Sequence, residues 1–545
     1  MIKPIVIFSI TVAALLLFPM AVSADRLDDE IRQSIQLKMV TASGYAVKDC
    51  SQNGLCQGPM VSRFYKGRDF YPAWINTPRP AQIESLLRVI RNADQEGLRP
   101  REYHLEKLEK GVDDWRRMTK INEQDIDSLA TLDVLLTDAF FRLGLHLYAG
   151  CLDYGSLSPE WGVPRKRIDV VKILEDTLKY SDVEIVLKGF APRHHSYAGL
   201  RAVLRRYRQI AAAGGWPILP AKAAFNKEQK DMPVMMLYER LLASGDMDPY
   251  DGHVSHVFDD VMKEGVQKFQ RRHGLNVDGS VGAETLKHLN VSVEDVIRRI
   301  ELNMDRIRWF ADDPGERYVF VNIADYSLEM IDRQQSVLDM RIVAGTDKNR
   351  SYVLSDKIIY LELNPFWNIP ESITEKEMLP KIKENPQFLN AKKIKVIKGW
   401  SEPSVEVRPD EIDWTAVRGN KFPYRLRQEP GPKNPLGRIK FVFPNKYDVY
   451  LHDTTEKHLF NRKKRTLSHG CIRIEKPLDL AVLLLPPDRG WTRQKFQDDI
   501  RKGKRVIVRL PEAAPVHIVY WTAWADRDGV LQIRDDVYGL DKLWP

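Results

Sequence analysis

The chain has 545 residues, 43% of them hydrophobic and 29% charged, with 31 Gly and 32 Pro spread along its length. That length is several times what one ordinary domain uses, and that composition excludes collagenous, mucin-like and wholly disordered chains. Lys and Arg number 83 against 75 Asp and Glu, a formal charge of +8. Such a mild excess suits an anionic neighbour such as a membrane surface or cell wall, and no Lys/Arg block resembles a nucleic-acid-binding arm.

At the N-terminus Lys3 precedes an apolar run from Ile5 to Leu17, and Ala21-Val22-Ser23-Ala24 places small residues before Asp25. This is the pattern of a signal peptide over 1–24, and the run is shorter than the roughly 20 residues that span a bilayer. The expectation is an exported chain that touches the membrane only through its transient leader. Four cysteines, Cys50, Cys56, Cys151 and Cys471, are too few for a disulfide framework. Cys50 and Cys56 are spaced to close a small loop, while Cys471 is left as a thiol that is either buried and inert or kept free because it reacts.

After an N-terminal segment over 25–61, Phe64-Tyr65 and Phe70-Tyr71-Pro72-Ala73-Trp74 lead into a helix near Ala81 to Ala93, with Ile83, Leu86, Leu87 and Ile90 on one face and Gly97 as its stop. A second amphipathic helix is expected over Ser128 to Tyr148, and helical periodicity returns over Tyr197 to Ala211. Residues 62–232 therefore read as a helical domain whose aromatic stripe is core. Over 233–290 the pattern becomes short helices separated by turns at Gly274 and Asp278-Gly279. An Arg-rich helix from Val293 to Trp309 forms a linker over 291–316.

Strand alternation begins at Tyr318 to Ile323 and repeats over Ser327 to Asp332 and Asp339 to Ala344, opening a mainly β domain over 317–500. A polar, Pro-containing stretch over about 371–435, with one helical piece near Thr374 to Glu384, interrupts it before Ile439, Phe441 and Phe443 alternate again and Asp448 to His452 runs back. The interruption reads as an insertion placed to act as a lid. Residues 501–545 add a β extension, with a strand at Val506 to Leu510 and a hairpin turning at Asp528-Gly529.

Two places in the β domain carry chemistry: Leu451-His452-Asp453-Thr454, and Ser468-His469-Gly470-Cys471-Ile472-Arg473. A thiolate is the nucleophile, and an imidazole beside it eases the loss of the thiol proton, so Cys471 pairs with His452 or with His469. Gly470 lets the chain turn tightly and lets a carbonyl approach the amides of Gly470 and Cys471, which are candidates for an oxyanion hole. Ser468 is placed to hydrogen-bond nearby backbone, and Arg473 to orient the loop or meet a substrate carboxylate. Tyr450 and Trp367 are candidates for the substrate cleft, with core packing as the alternative for each.

His452-Asp453-Thr454 followed by Ser468-His469-Gly470-Cys471-Ile472-Arg473 resembles the signature of the YkuD-type L,D-transpeptidases. Asn364-Pro365-x-Trp367-x-x-Pro370, Pro430-Gly431-Pro432, Asn434-x-Leu436-Gly437, Lys440-Phe441 and Phe443-Pro444-Asn445 resemble that family's large Gram-negative branch. The run from Val266-x-x-Phe269-Gln270 through Asp278-Gly279 to Leu289-Asn290 is similar to the small helical peptidoglycan-binding module of wall enzymes. The resemblance implies a multi-domain α+β chain: a helical N-terminal scaffold domain, the peptidoglycan-binding module, and a mainly-β catalytic domain with an inserted lid-like lobe.

It further implies a periplasmic enzyme, sensitive to carbapenems, that cleaves the diaminopimelate–D-Ala bond of a tetrapeptide stem through a thioester on Cys471. A second stem's amine then resolves the thioester into a 3-3 crosslink. The resemblance assigns the proton-transferring role to His452 and leaves His469 to shape the oxyanion region. The implied partners are peptidoglycan stem peptides and glycan, together with cell-wall synthesis proteins, and not nucleic acid. A cysteine L,D-carboxypeptidase would use the same parts with water as acceptor, and a wall-binding scaffold protein with an inactive β domain is the reading from a different class. No cofactor and no metal is expected, since His253-x-x-His256 lacks the following Glu of a zinc peptidase.

Overall fold

The computed structural model describes residues 19–42, 55–75, 77, 79–119, 121–221, 225, 232–249, 257–399, 405–417, 422–485 and 489–544. The apolar core of the expected leader, Cys50, and the His253-x-x-His256 pair lie outside them. The expected cut after Ala24 falls inside a helix, Pro19–Ala42. Among the described residues no helix is long and apolar enough to cross a membrane. The chain divides into two compact units, Met1–Cys151 with Lys166–Arg193, and Leu152–Arg165 with His194–Pro545.

The first unit is helical. Ile83, Leu86, Leu87 and Ile90 recur at helical spacing and are all buried on helix Ala81–Arg91. Helix Glu123–Ala149 starts five residues earlier than expected because Asn122 and Asp125 cap it reciprocally. It carries two fully buried carboxylates. Asp133 accepts the backbone N–H groups of Ala73, Trp74 and Ile75, each at 2.8 Å, and the Tyr65 hydroxyl at 2.6 Å. Asp138 accepts from the amides of Cys56 and Gln57 and bonds His104 Nε2 at 2.8 Å. The aromatic segment is thus pinned to the helix and packs as core, with Phe64, Tyr65 and Trp74 almost fully buried. Cys56 is disulfide-bonded.

In the second unit, helix His195–Ala212 packs on helix Val293–Arg308, joined by Arg208–Glu301 at 2.6 Å and by Arg308 to the Tyr197 hydroxyl at 2.8 Å. The sequence places this helix with the N-terminal helical domain, but its apolar face is covered from within the second unit. Three short helices, Met232–Ser244, Asp260–Arg272 and Ala283–Leu289, share a core of Leu237, Leu241, Met262, Val266, Phe269 and Leu289. Gln270 ties the Asp278-Gly279 turn to this core, donating to Asp278 and accepting from the Gly279 amide.

Fifteen strands follow among the described residues: β1 (Arg317–Asn322), β2 (Ser327–Asp332), β3 (Gln335–Gly345), β4 (Leu354–Leu363), β5 (Trp367–Asn368), β6 (Ile394–Lys398), β7 (Val405–Val407), β8 (Tyr424–Gln428), β9 (Ile439–Val442), β10 (Leu451–His452), β11 (Thr466–Ser468), β12 (Ile472–Ile474), β13 (Val506–Val519), β14 (Ala523–Ala525) and β15 (Leu531–Ile533). The main sheet runs β11-β3-β12-β10-β9-β4-β13-β1-β2, and β2 also pairs with β3, so the order closes on itself. β13 lies between β4 and β1, so residues expected as an extension beside the β domain supply an inner strand of its sheet. The insertion between β4 and β9 has a sheet of its own, β5-β8-β6-β7, with a core built on Ile373, Leu379, Ile382, Leu389, Val396 and Leu426. β14 and β15 form the hairpin expected around Asp528-Gly529.

Candidate active site

β10 and β12 lie side by side and parallel, with Leu451 opposite Ile472 and His452 opposite Arg473. Side chains alternate along a strand, so Tyr450 shares the face of His452 and Cys471 shares that of Arg473; the parallel register makes these one face. The Tyr450 and His452 rings meet there with centroids 5.7 Å apart. The row continues across antiparallel neighbours, His452 opposite Lys440 on β9 and Lys440 opposite Glu362 on β4.

Cys471 is half-buried, and its thiol faces the Asp448 carbonyl at 3.8 Å. The backbone N–H and the hydroxyl of Tyr450 both favour the thiolate form of the sulfur. Burial pushes the thiol above its ordinary range, while the two Tyr450 donors and then the Lys440 ammonium act in the opposite direction. Burial, followed by the sulfur's charge and hydrogen bond, holds the Tyr450 hydroxyl well above the usual phenol range, so it remains a donor.

His452 is 4% exposed, and its Nδ1 lies 2.5 Å from the Asp453 carbonyl oxygen. A carbonyl only accepts, so Nδ1 carries the proton and Nε2 is left as the acceptor nitrogen. Burial first, then the Arg473 charge, lowers this imidazole to about 3. At neutral pH the two groups therefore rest as a thiol and a neutral imidazole. The Asp453 carboxylate does not orient the ring: it accepts from the amides of Arg438 and Thr454 and from Lys457 Nζ. Gly437, at φ +63°, passes so close that a Cβ would lie 2.4 Å from Asp453 Cγ, which is why glycine stands there.

Ser468 shapes the loop that presents the sulfur. Its hydroxyl donates to the Cys471 carbonyl at 2.6 Å and accepts from the Gly470 amide at 3.2 Å. Gly470 adopts φ +114°, and its own carbonyl accepts from the Ser351 hydroxyl at 2.7 Å. The Gly470 amide, expected as an oxyanion donor, is thus already bonded to Ser468, and the Cys471 amide is left as the candidate.

His469 turns outward. Its Nε2 lies 2.7 Å from Glu377 Oε1, on a π-helical turn over Thr374–Met378 of the insertion. Arg473 holds Glu456 at 2.5 Å beside His452. Trp367 stands apart, on β5, where it packs against the insertion's own core. The sequence reading missed Lys440 as a neighbour of the sulfur and Glu377 as the partner of His469; only the register and the return of the insertion bring them in. Among the described residues two groups of His, Cys and carboxylate side chains come close enough to hold an ion: Cys56, His104 and Asp138, and Glu284, His288 and Asp535. Cys56 is tied up in its disulfide, and Lys463 pairs with Glu284 while His288 pairs with Asp535 at 3.4 Å.

Three domain families match: one described as "Scaffold domain" over residues 59–204, one as "Putative peptidoglycan binding domain" over 233–289, and the YkuD family, described as "L,D-transpeptidase catalytic domain", over 316–508. The last span contains every residue of the site. Residues 316–508 are thus similar to YkuD L,D-transpeptidase catalytic domains. A Haemophilus influenzae protein named "Putative L,D-transpeptidase" is 33% identical over 248 residues, which is 46% of this chain and 49% of that protein, so the chain spans about half the length of the curated relative it matches. Among solved structures, an L,D-transpeptidase from Stackebrandtia nassauensis is 14% identical, covering 55% of this chain and 97% of its own at a TM-score of 0.20. One from Xylanimonas cellulosilytica is 11% identical, covering 55% and 99% at 0.15. Superpositions that loose carry no weight beside the YkuD match.

Proposed function

We propose that this protein is a periplasmic L,D-transpeptidase that cleaves the diaminopimelate–D-Ala bond of a peptidoglycan tetrapeptide stem through a thioester on Cys471 and forms 3-3 crosslinks. The observation that supports this reading most is the placement, inside a YkuD domain, of the Cys471 thiol against two Tyr450 donors on the sheet face that carries His452.

The steps follow from these groups. Cys471 Sγ attacks the diaminopimelate carbonyl carbon as its proton passes to His452 Nε2, and the amide of Cys471 faces the oxyanion that forms. Collapse breaks the C–N bond, and the D-Ala nitrogen leaves with the proton that His452 had taken. An acceptor amine then attacks the thioester, giving its proton to His452, and the sulfur leaves and is reprotonated. Water in place of the amine makes the same enzyme a carboxypeptidase, so the outcome depends on keeping the site dry. The insertion reaches the loop through Glu377 and His469, which supports a covering role for it. The module over 233–289 serves as the contact to glycan or stem peptides.

The test is product analysis on purified tetrapeptide muropeptides. Wild type releases D-Ala and yields 3-3 crosslinked dimer, and Cys471→Ala yields neither; dimer from that variant would overturn the reading.

A further inference from the structure

Lys440 is half-buried on β9, at the centre of the ionisable row that crosses the sheet. Its register partner Glu362 is the natural counter-ion, yet both Glu362 oxygens are taken by Arg505, at 2.9 and 3.1 Å. The other register partner is the neutral His452. Among the described residues the ammonium has neither a hydrogen bond nor an ion pair; it lies over the Tyr450 ring, 4.0 Å from the centroid. A cation drawn out of water and left without an anion is costly unless an anion forms beside it during function. The group on this same face that becomes anionic is the Cys471 sulfur, one strand beyond His452.

We propose that Lys440 is a positioning residue for acyl transfer: held over Tyr450 without a partner of its own, it supplies the countercharge for the Cys471 thiolate. The inference rests on the reading of Cys471 as nucleophile. The charged and titratable groups around the sulfur are Lys440 from β9, Asp448 and Tyr450 from the segment before β10, His452 from β10, Arg473 from β12, Glu362 from β4, and Arg505 ahead of β13. Glu362 is neutralised by Arg505 and Arg473 is paired with Glu456. Lys440 and Asp448 are left without an ion pair among the described residues, and of the two the lysine acts more strongly on the thiol, lowering it where Asp448 raises it. The same charge helps keep His452 neutral, and hence able to accept a proton.

The experiment is the pH profile of iodoacetamide alkylation at Cys471, mapped by mass spectrometry on the full chain. The variants are Lys440→Met, Lys440→Gln and Lys440→Arg, so that a folding defect in one leaves the comparison intact. The neutral variants are expected to move the alkylation profile up by about one pH unit, roughly a tenfold loss of rate on its rising limb, with Arg restoring most of it. Neutral variants whose profile overlays the wild type overturn the inference, including the case in which they raise only KM because Lys440 holds a substrate carboxylate. Cys471→Ala is assayed in parallel: turnover of the tetrapeptide stem by that variant overturns the nucleophile reading and this inference with it. An inactive Cys471→Ala beside unshifted Lys440 profiles overturns this inference alone.

Discussion

The Tyr450 ring lies 4.0 Å below the Lys440 ammonium, on the sheet face of Cys471, whose thiolate both the Tyr450 backbone N–H and its hydroxyl favour. The backbone donor is kept in every substitution except proline; the hydroxyl is not. Tyr450→Phe keeps the ring under Lys440 and removes one hydrogen bond to a charged acceptor, worth about 1.5–3 kcal/mol. Steady-state release of D-Ala should fall by about tenfold to a hundredfold in kcat/KM, while the thermal midpoint stays near that of wild type. An unchanged kcat/KM would mean that the phenol does not act on the sulfur.

His469 and Glu377 join the loop that carries Cys471 to the insertion. Because that ring faces Glu377, Glu377→Gln should leave the rate of Cys471 alkylation as it is and alter KM for the stem peptide. A changed alkylation profile would place His469 in the ionisation of the thiol.

Stability should depend on pH through buried imidazoles. His452 and His194 both titrate at about 3 in the fold against an ordinary value of 6.5. Between those values the unfolded chain binds protons that the folded chain does not, so the stabilisation is complete above about 6.5 and is lost as pH falls toward 3. His194 also caps helix His195–Ala212 by accepting the Ser196 amide, a role that Asn fills without titrating. His194→Asn should flatten the acid limb of stability against pH by up to about 1.4 kcal/mol per pH unit, measured by denaturant unfolding at several pH values. An acid limb as steep as that of wild type would contradict this assignment.

In the helical unit, Asp133 is the acceptor for three backbone amides and a phenol. Asp133→Leu leaves these donors without an acceptor, at about 1–3 kcal/mol for each that stays buried. Unfolding should be easier by about 3 kcal/mol or more, and a loss below about 1 kcal/mol would show that the segment Ala73–Ile75 finds other partners.

Much of this was legible in the residue pattern. Ser327–Asp332 alternates as far as Met330 and is β2 residue for residue, and the spacing of Ile83, Leu86, Leu87 and Ile90 sets the buried face of its helix. β13 was legible only in its first five residues, because its register shifts between Arg509 and Ala514 and two prolines fall within it. The insertion's sheet escaped because β5 has two residues and β7 three, too short for alternation to register. At the site, Cys471 and His452 stand in recognisable company along the chain. Lys440 reaches them through strand pairing, and Glu377 lies 92 residues before His469, distances that no local pattern spans.

The central claim, that Cys471 carries the acyl group, is tested most directly by quenching the purified chain during turnover of a tetrapeptide stem and mapping the adduct by mass spectrometry. The account predicts the mass of the stem tripeptide acyl group on the peptide containing Cys471, labile to hydroxylamine and missing from Cys471→Ala. An adduct on another residue, or D-Ala release undiminished in Cys471→Ala, would contradict it.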